Sequence, residues 1–423
     1  MSSAAASPSR YRWVVLGAGT LAQASTAAVF LGLASVTPLL RETYALSVSG
    51  VGLLLGLISA GILLTLLPWG MLTDRVGERP VIVAGLVGAA ASLGALSLTT
   101  SAIAAALLLL LAGAFGASVN AASGRAVLTW FPVRGRGVAM GVRQSAVPLG
   151  AAVAAAVLPG IGETHGLPTV FRTLAAVCLL SAVLAAATIH DPAGTVRRPA
   201  GRTPISRMLG QRSLLRLSAA SGLLVVPQFT LGALLVEYLH DDKTVALTAA
   251  AATLSVAQLA SAAGRLAVGA WSDRVGSRVR PLRTLGLCTA ACFLLIAVLD
   301  VVVSGPTLVV LAPVLVVGTV LATCWNGLAF TLAGEIAPPG QAAAAMSVQN
   351  SANYLAATLT PALAGAVAAG LGWAAVFALA GVSALGSAAL LHPRRLARAV
   401  TRTPRYTRAS RKSSTEAGDP KRA

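Results

Sequence analysis

Acidic side chains are scarce in this chain. Thirteen Asp and Glu stand among 423 residues, against 32 Lys and Arg. Where they meet the long apolar runs they stay near the ends, at Glu237, Asp300 and Glu335 for example. A cationic cargo would want a buried counter-charge, so this absence argues against one. Cysteines are few as well: Cys178, Cys288, Cys292 and Cys324, all inside apolar runs. Cys288 and Cys292 share a helix face, but no His or second Cys pair joins them, which argues against zinc. No phosphate loop, nucleotide fingerprint or catalytic-triad spacing occurs, which argues against ATP drive and catalysis. The chain is therefore expected to be no enzyme and to hold no metal or other cofactor. No cleavable signal is expected either. Arg10 and Arg12 precede an apolar run from about Trp13 to Leu40, too long for a signal core, and this run reads as a first membrane span.

What remains is overwhelmingly apolar. The chain is 56% hydrophobic and 11% charged, with a mean hydropathy of +0.80. A soluble domain of this length could not hide so much apolar surface from water, so lipid is the expected solvent. The net charge is +19. The basic residues cluster in polar loops and tails, as membrane topology requires, so nucleic acid is not an expected partner.

A helix needs about 20 apolar residues to cross the hydrocarbon core. The runs predict twelve spans, at about 13–40, 49–73, 80–100, 102–130, 137–161, 169–189, 214–238, 245–272, 282–304, 307–333, 342–369 and 374–391. The expected fold is an all-α membrane protein of two six-helix bundles. Continuous rather than alternating runs exclude a closed barrel. Residues 1–12 read as an N-terminal tail, 13–189 as the first bundle and 190–213 as a linker rich in Arg, Pro and Gly. Residues 214–391 read as the second bundle and 392–423 as a basic, disordered tail. With both termini in the cytoplasm, the external loops hold only Arg41 and Lys243. The internal side then holds Arg75, Arg79, Arg134, Arg136, Arg197, Arg198, Arg202, Arg207, Arg212, Arg274, Arg278, Arg280 and Arg283. This bias predicts a multi-pass protein of the cell membrane with both ends inside.

The two halves repeat each other. Gly70, Asp74, Arg75, Val76, Gly77 and Arg79 recur as Gly269, Asp273, Arg274, Val275, Gly276 and Arg278, 199 residues later. Pro132, Ala139-Met140, Val142 and Gln144-Ser145-Ala146 recur as Pro338, Ala345-Met346, Val348 and Asn350-Ser351-Ala352, 206 residues later. Asn120 matches Asn326 at that offset, and Gln23 falls near Gln228. Such parallel repeats predict a pseudo-two-fold axis along the membrane normal.

With these residues in view, the chain resembles the major facilitator superfamily over essentially its whole length. The loop between spans 2 and 3 carries that family's G-x-x-x-D-R-x-G-R-R signature, with Glu78 where a basic residue is usual. The resemblance implies a monomeric secondary transporter working by alternating access. It implies that the Asp74 and Asp273 turns latch the two bundles on the cytoplasmic side. Direct argument suits the residues to that place. A carboxylate at a helix end can face the positive N-terminus of a neighbour or pair with an Arg. Gly70 permits close helix approach, and Gly77 permits a tight reversal.

Ionisable groups inside spans point to sites, since a central Arg costs roughly 2.5–3.5 kcal/mol on insertion scales. Arg125, Arg143 and Arg265 are the embedded ones. Arg265 stands eight residues before Asp273, about 12 Å at 1.5 Å per residue, toward the midplane. The Arg-x7-Asp spacing on span 8 is similar to the oxalate/formate and nitrate branches, where this Arg holds the anion. The likeness stops at Arg265, because the matched position on span 2 is Leu66 rather than a second Arg. A structural Arg bonded to carbonyls of a neighbouring helix is the other reading.

Arg125 is expected to pair with Asp74 in the gate. Arg143-Gln144 stands at the repeat position of Gln349-Asn350 and is expected either to line the cytoplasmic half of the pathway or to bond between helices. Gln23, Gln228, Gln258, Asn326, Asn353 and Tyr354 are candidate neutral contacts to cargo. The leading reading is transport of a small organic anion. Efflux of an amphipathic, drug-like compound is the alternative within transport. A transporter-like receptor that binds without translocation is the alternative outside it.

Overall fold

The computed structural model describes residues 10–190, 205–302 and 308–392. The tail before residue 10, most of the expected linker and the basic tail from residue 393 lie outside the described residues. Among those described, all regular elements are helical. Twelve helical spans are long and apolar enough to cross a membrane. The first six are α1 (Tyr11–Tyr44), α2 (Gly50–Val76), α3 (Glu78–Leu96), α4 (Ala102–Trp130), α5 (Val133–His165) and α6 (Leu167–Thr188). The second six are α7 (Arg212–Asp242), α8 (Leu247–Val275), α9 (Val279–Val302), α10 (Val310–Ile336), α11 (Ala342–Leu371) and α12 (Trp373–Leu390).

Without water to bond the backbone, a helix is the way for an isolated segment to satisfy its own amides. Ser47 and Ser101 start α2 and α4 by accepting from Gly50 N and Ala104 N. Sharp reversals fall on glycines with positive φ. Gly77 (φ 94°) separates α2 from α3, and Gly276 (φ 65°) separates α8 from α9. Only glycine takes such angles at little cost. Large apolar side chains face outward all round, with Leu53 75% and Leu64 69% exposed, as suits lipid and not water.

The packing repeats with a shift of six helices. In the first half α1 packs on α4, α5 and α6, α2 on α4, and α3 on α4 and α6. In the second half α7 packs on α10, α11 and α12, α8 on α10, and α9 on α10 and α12. These are two six-helix bundles related by a pseudo-two-fold axis. Between them α2 lies against α11 and α5 against α8, each contact the image of the other. The symmetry breaks at the fourth span of each half. Helix α4 is continuous through Asn120, whereas α10 is interrupted at Cys324–Trp325, between helical segments Leu308–Thr323 and Asn326–Ile336.

Candidate binding site and latches between the bundles

The two D-R-V-G turns lie at one end of the bundles, termed here the motif end. Asp74 closes α2 and reaches the start of α11, accepting from Ala343 N (3.1 Å) and Ala344 N (2.9 Å). Asp273 closes α8 and does the same at the start of α5, accepting from Gly137 N (3.0 Å) and Val138 N (2.9 Å). Each carboxylate therefore caps a helix of the opposite bundle, where free amides and the helix dipole favour negative charge. Gly70 and Gly269 stand one turn earlier. A Cβ on Gly70 would strike Ser347 Oγ and the backbone of Ala343, and one on Gly269 would strike the backbone of Gly137.

The counter-charges differ between the latches. Arg125 of α4 meets Asp74 at 3.2 Å and Glu78 at 2.7 Å. Glu78 also accepts from Thr129 Oγ1 at 3.1 Å. In the second latch the cation is Arg278, of the motif itself, 2.6 Å from Asp273. Arg278 further meets Glu335 of α10 at 3.6 Å, and Arg136 of α5 meets the same Glu335 at 3.5 Å. Sequence reasoning named Asp74, Arg125, Asp273 and Arg278 but gave no role to Glu78, Glu335 or Arg136. Arg75, Arg79 and Arg274 are exposed at this end, as is Gly276.

Nearer the middle, the first bundle holds a closed polar network around Arg143 of α5, which is fully buried. Its Nε donates to Ser123 Oγ (2.8 Å), and its Nη1 to Gln144 Oε1 (2.7 Å). Its Nη2 donates to Gln23 Oε1 (3.1 Å) and Asn120 O (2.8 Å). Gln23 Nε2 donates in turn to Asn120 Oδ1 at 3.1 Å. Asn120 Nδ2 then reaches across the seam to Tyr354 Oη of α11 at 3.3 Å, and the Tyr354 ring meets Phe30 edge-on at 5.9 Å. The second bundle repeats the amide pair, with Asn326 Nδ2 donating to Gln228 Oε1 at 2.9 Å. At the register of Arg143 it has Gln349, fully buried, whose amide atoms find no partner among the described residues.

Arg265 of α8 is 6% exposed and donates from Nη1 to the backbone oxygen of Gln144 across the seam. Its Nε finds no partner among the described residues. Gln144 thus touches both embedded arginines, Arg143 through its side chain and Arg265 through its backbone. Gln258 stands two turns before Arg265 on α8 and is half-buried. Asn353 Nδ2 approaches Asn350 Oδ1 at 3.5 Å, while its Oδ1 has no partner. Every carboxylate among the described residues lies near a span end or in a connection.

At the opposite end Lys243, between α7 and α8, meets Asp300 at 2.8 Å and Asp242 at 3.1 Å. Burial alone would lower the Lys243 ammonium, but hydrogen bonds to Asp300 and Asp242 and their charges hold it above the ordinary lysine value. This cluster ties the second bundle to itself and does not cross the seam.

Twelve spans in two repeated bundles, locked at one end by carboxylates on opposing helix starts, define a membrane transporter. Residues 19–361 match the profile of the Major Facilitator Superfamily. The chain is 34% identical over 386 residues to an uncharacterised MFS-type transporter of Mycobacterium tuberculosis, a match that covers 91% of this chain and 86% of that one. It therefore belongs to the Major Facilitator Superfamily, a family of transporters and not of enzymes. Among solved structures it resembles FucP in the outward conformation, at 15% identity and a TM-score of 0.73, over 90% of this chain and 99% of that chain. It also resembles the human organic anion transporter MFSD10 (TETRAN), at 19% identity and a TM-score of 0.72, over 90% and 99%. At such identities the likeness is one of fold.

Proposed function

We propose that this protein is a secondary transporter that carries a small organic anion by alternating access, with Arg265 as the charge anchor. One observation carries the reading. Two buried guanidinium groups, Arg143 and Arg265, meet at Gln144, and no carboxylate stands near the middle of any described span. A buried cation normally pairs with an acid, and here the cargo is the group that pairs with it. Arg143 spends its donors inside its own bundle, so it sets the shape of the site. Arg265 keeps donors in hand at the seam between bundles, where a carboxylate can take two parallel bonds from its fork. A solved neighbour described as an organic anion transporter fits this reading.

The Lys and Arg bias puts the motif end in the cytoplasm of a plasma-membrane protein, with both termini inside and residues 13–189 and 214–391 as the rocking units. The latches then close the cytoplasmic side. The test is uptake in proteoliposomes, screened over labelled monocarboxylates, dicarboxylates and inorganic anions with and without a pH gradient. Arg265→Lys keeps the charge and loses the fork, so uptake falls sharply at unchanged protein level. Normal transport by Arg265→Ala would sink the assignment.

A further inference from the structure

Arg265 is held across the seam by a carbonyl that its own helix cannot use. A backbone oxygen in an α-helix accepts from the N–H four residues on. For Gln144 that residue is Pro148, inside α5, and proline has no N–H. The Gln144 oxygen takes a donor from outside instead, Nη1 of Arg265 on α8. The same arrangement occurs once more in the second bundle. Pro227, inside α7, denies Leu223 its helical donor, and Ser383 Oγ of α12 donates to the Leu223 oxygen at 2.8 Å.

The two bonds differ in what they join. Ser383 and Leu223 belong to one bundle and move together. Arg265 and Gln144 belong to opposite bundles. Their bond stands about 12 Å inside the Asp273 latch, at eight residues and 1.5 Å per residue. The helices are tight around it. Ser145 Oγ donates to Ala262 O at 3.2 Å, and a Cβ on Gly141 would lie 2.7 Å from Arg265 O. The other seam, between α2 and α11, lacks both members of the pair. Leu66 stands at the register of Arg265, and Tyr354, which has an N–H, stands at that of Pro148, 206 residues on. A neutral carbonyl is a poor partner for a buried guanidinium. A carboxylate makes bonds roughly twice as strong and brings the missing charge. Arg265 Nε, which finds no partner among the described residues, offers it a further donor.

We propose that Pro148 and Arg265 build a lock that the cargo opens. In the empty protein the Gln144 carbonyl holds Arg265, and with it the α5–α8 seam. The cargo carboxylate displaces that carbonyl, the bond between bundles breaks, and the motif end is released. This rests on the anionic reading above and adds the step by which binding triggers movement. Pro148 is a positioning residue, which acts through the carbonyl it leaves without a helical donor.

The test uses the full-length protein in lipid nanodiscs, with spin labels at exposed Arg75 and Arg274 and with formate, acetate and oxalate as probes. The empty wild type shows a short distance, and a saturating carboxylate adds a long one. Pro148→Ala supplies the N–H that draws the Gln144 carbonyl back to its own helix. Long distances then appear without carboxylate. Carboxylate binding, read by thermal stabilisation, tightens about tenfold, the scale of one hydrogen bond no longer displaced. Pro227→Ala restores the same kind of bond within one bundle and leaves binding and distances unchanged. Arg265→Gln weakens binding about tenfold or more, the loss of a charge-assisted bond. Unchanged or weaker binding in Pro148→Ala, with Arg265→Gln still defective, overturns the lock and leaves the anionic reading standing. An equal gain in Pro227→Ala overturns the lock as well. No stabilisation of the wild type by any carboxylate removes both readings. Should Pro148→Ala show no cooperative unfolding, the wild type decides. A carboxylate that binds and leaves the distance short overturns the proposal.

Discussion

Glu78 and Glu335 do the same work from opposite sides of a repeat. In the first half Glu78 opens α3 and holds Arg125, while Thr129 of α4 donates to it. In the second half the register of Glu78 is Ser277 and that of Thr129 is Glu335, which holds Arg278 and Arg136. The carboxylate has changed helix, and each latch keeps one. Glu78→Ser should strand Arg125 with one acid, lowering stability by about 3 kcal/mol, the scale of a broken buried pair. Adding Thr129→Glu should restore most of that loss in thermal unfolding. A double variant no more stable than Glu78→Ser would refute the equivalence. The sequence showed Asp74 and Arg125, because one lies in a repeated motif and the other is a conspicuous embedded charge. Glu78 was visible only as a departure from the signature. An exchange of acid between positions leaves no repeated letter, so it needs contacts to be seen. The closed network around Arg143 stayed hidden for a related reason. The partners of Arg143 come from α1, α4 and α5, and no local pattern records them.

The seam between α5 and α8 is built of glycine on both sides. On α5 and α8, Gly137 and Gly269 face each other so closely that a Cβ on either would overlap the other's backbone. Gly141 presses the Arg265 carbonyl in the same way. Backbone cannot move aside as a side chain can, so a methyl group here must push the helices apart. Gly269→Ala should therefore disfavour the closed motif end while leaving each bundle folded. Thiol labelling of a cysteine placed at Val138 should quicken in that variant, with far-ultraviolet circular dichroism unchanged. Equal labelling rates would show that the seam has slack. Apolar runs announced the helices themselves, and the motif announced Gly70 and Gly269. The facing glycines and the α10 interruption stayed hidden, because glycine is common throughout the chain and the Cys324–Trp325 break has no proline to mark it.

At the scale of the whole molecule, the pseudo-two-fold axis puts both latches at one end, so that end opens only when both release. Each Asp accepts two backbone amides of the opposite bundle and one Arg contact. Asn in place of Asp keeps the volume, removes the charge and turns a donor toward those amides. One charge-assisted bond is worth about 2 kcal/mol, so Asp74→Asn and Asp273→Asn should each shift the closed-to-open ratio by more than tenfold. The two sites share no contact and act on one equilibrium, so their free energies should add in the double variant. Spin labels at exposed Arg75 and Arg274, one in each bundle, would report the separation of the motif ends. The wild type should give a single short distance, each single variant a mixture, and the double variant mainly the long distance. A double variant no more open than one single would mean that one latch alone holds the closed state. The repeated turn would then be a relic of duplication on the other side. Additive opening instead makes the duplicated carboxylates two equal locks on one door.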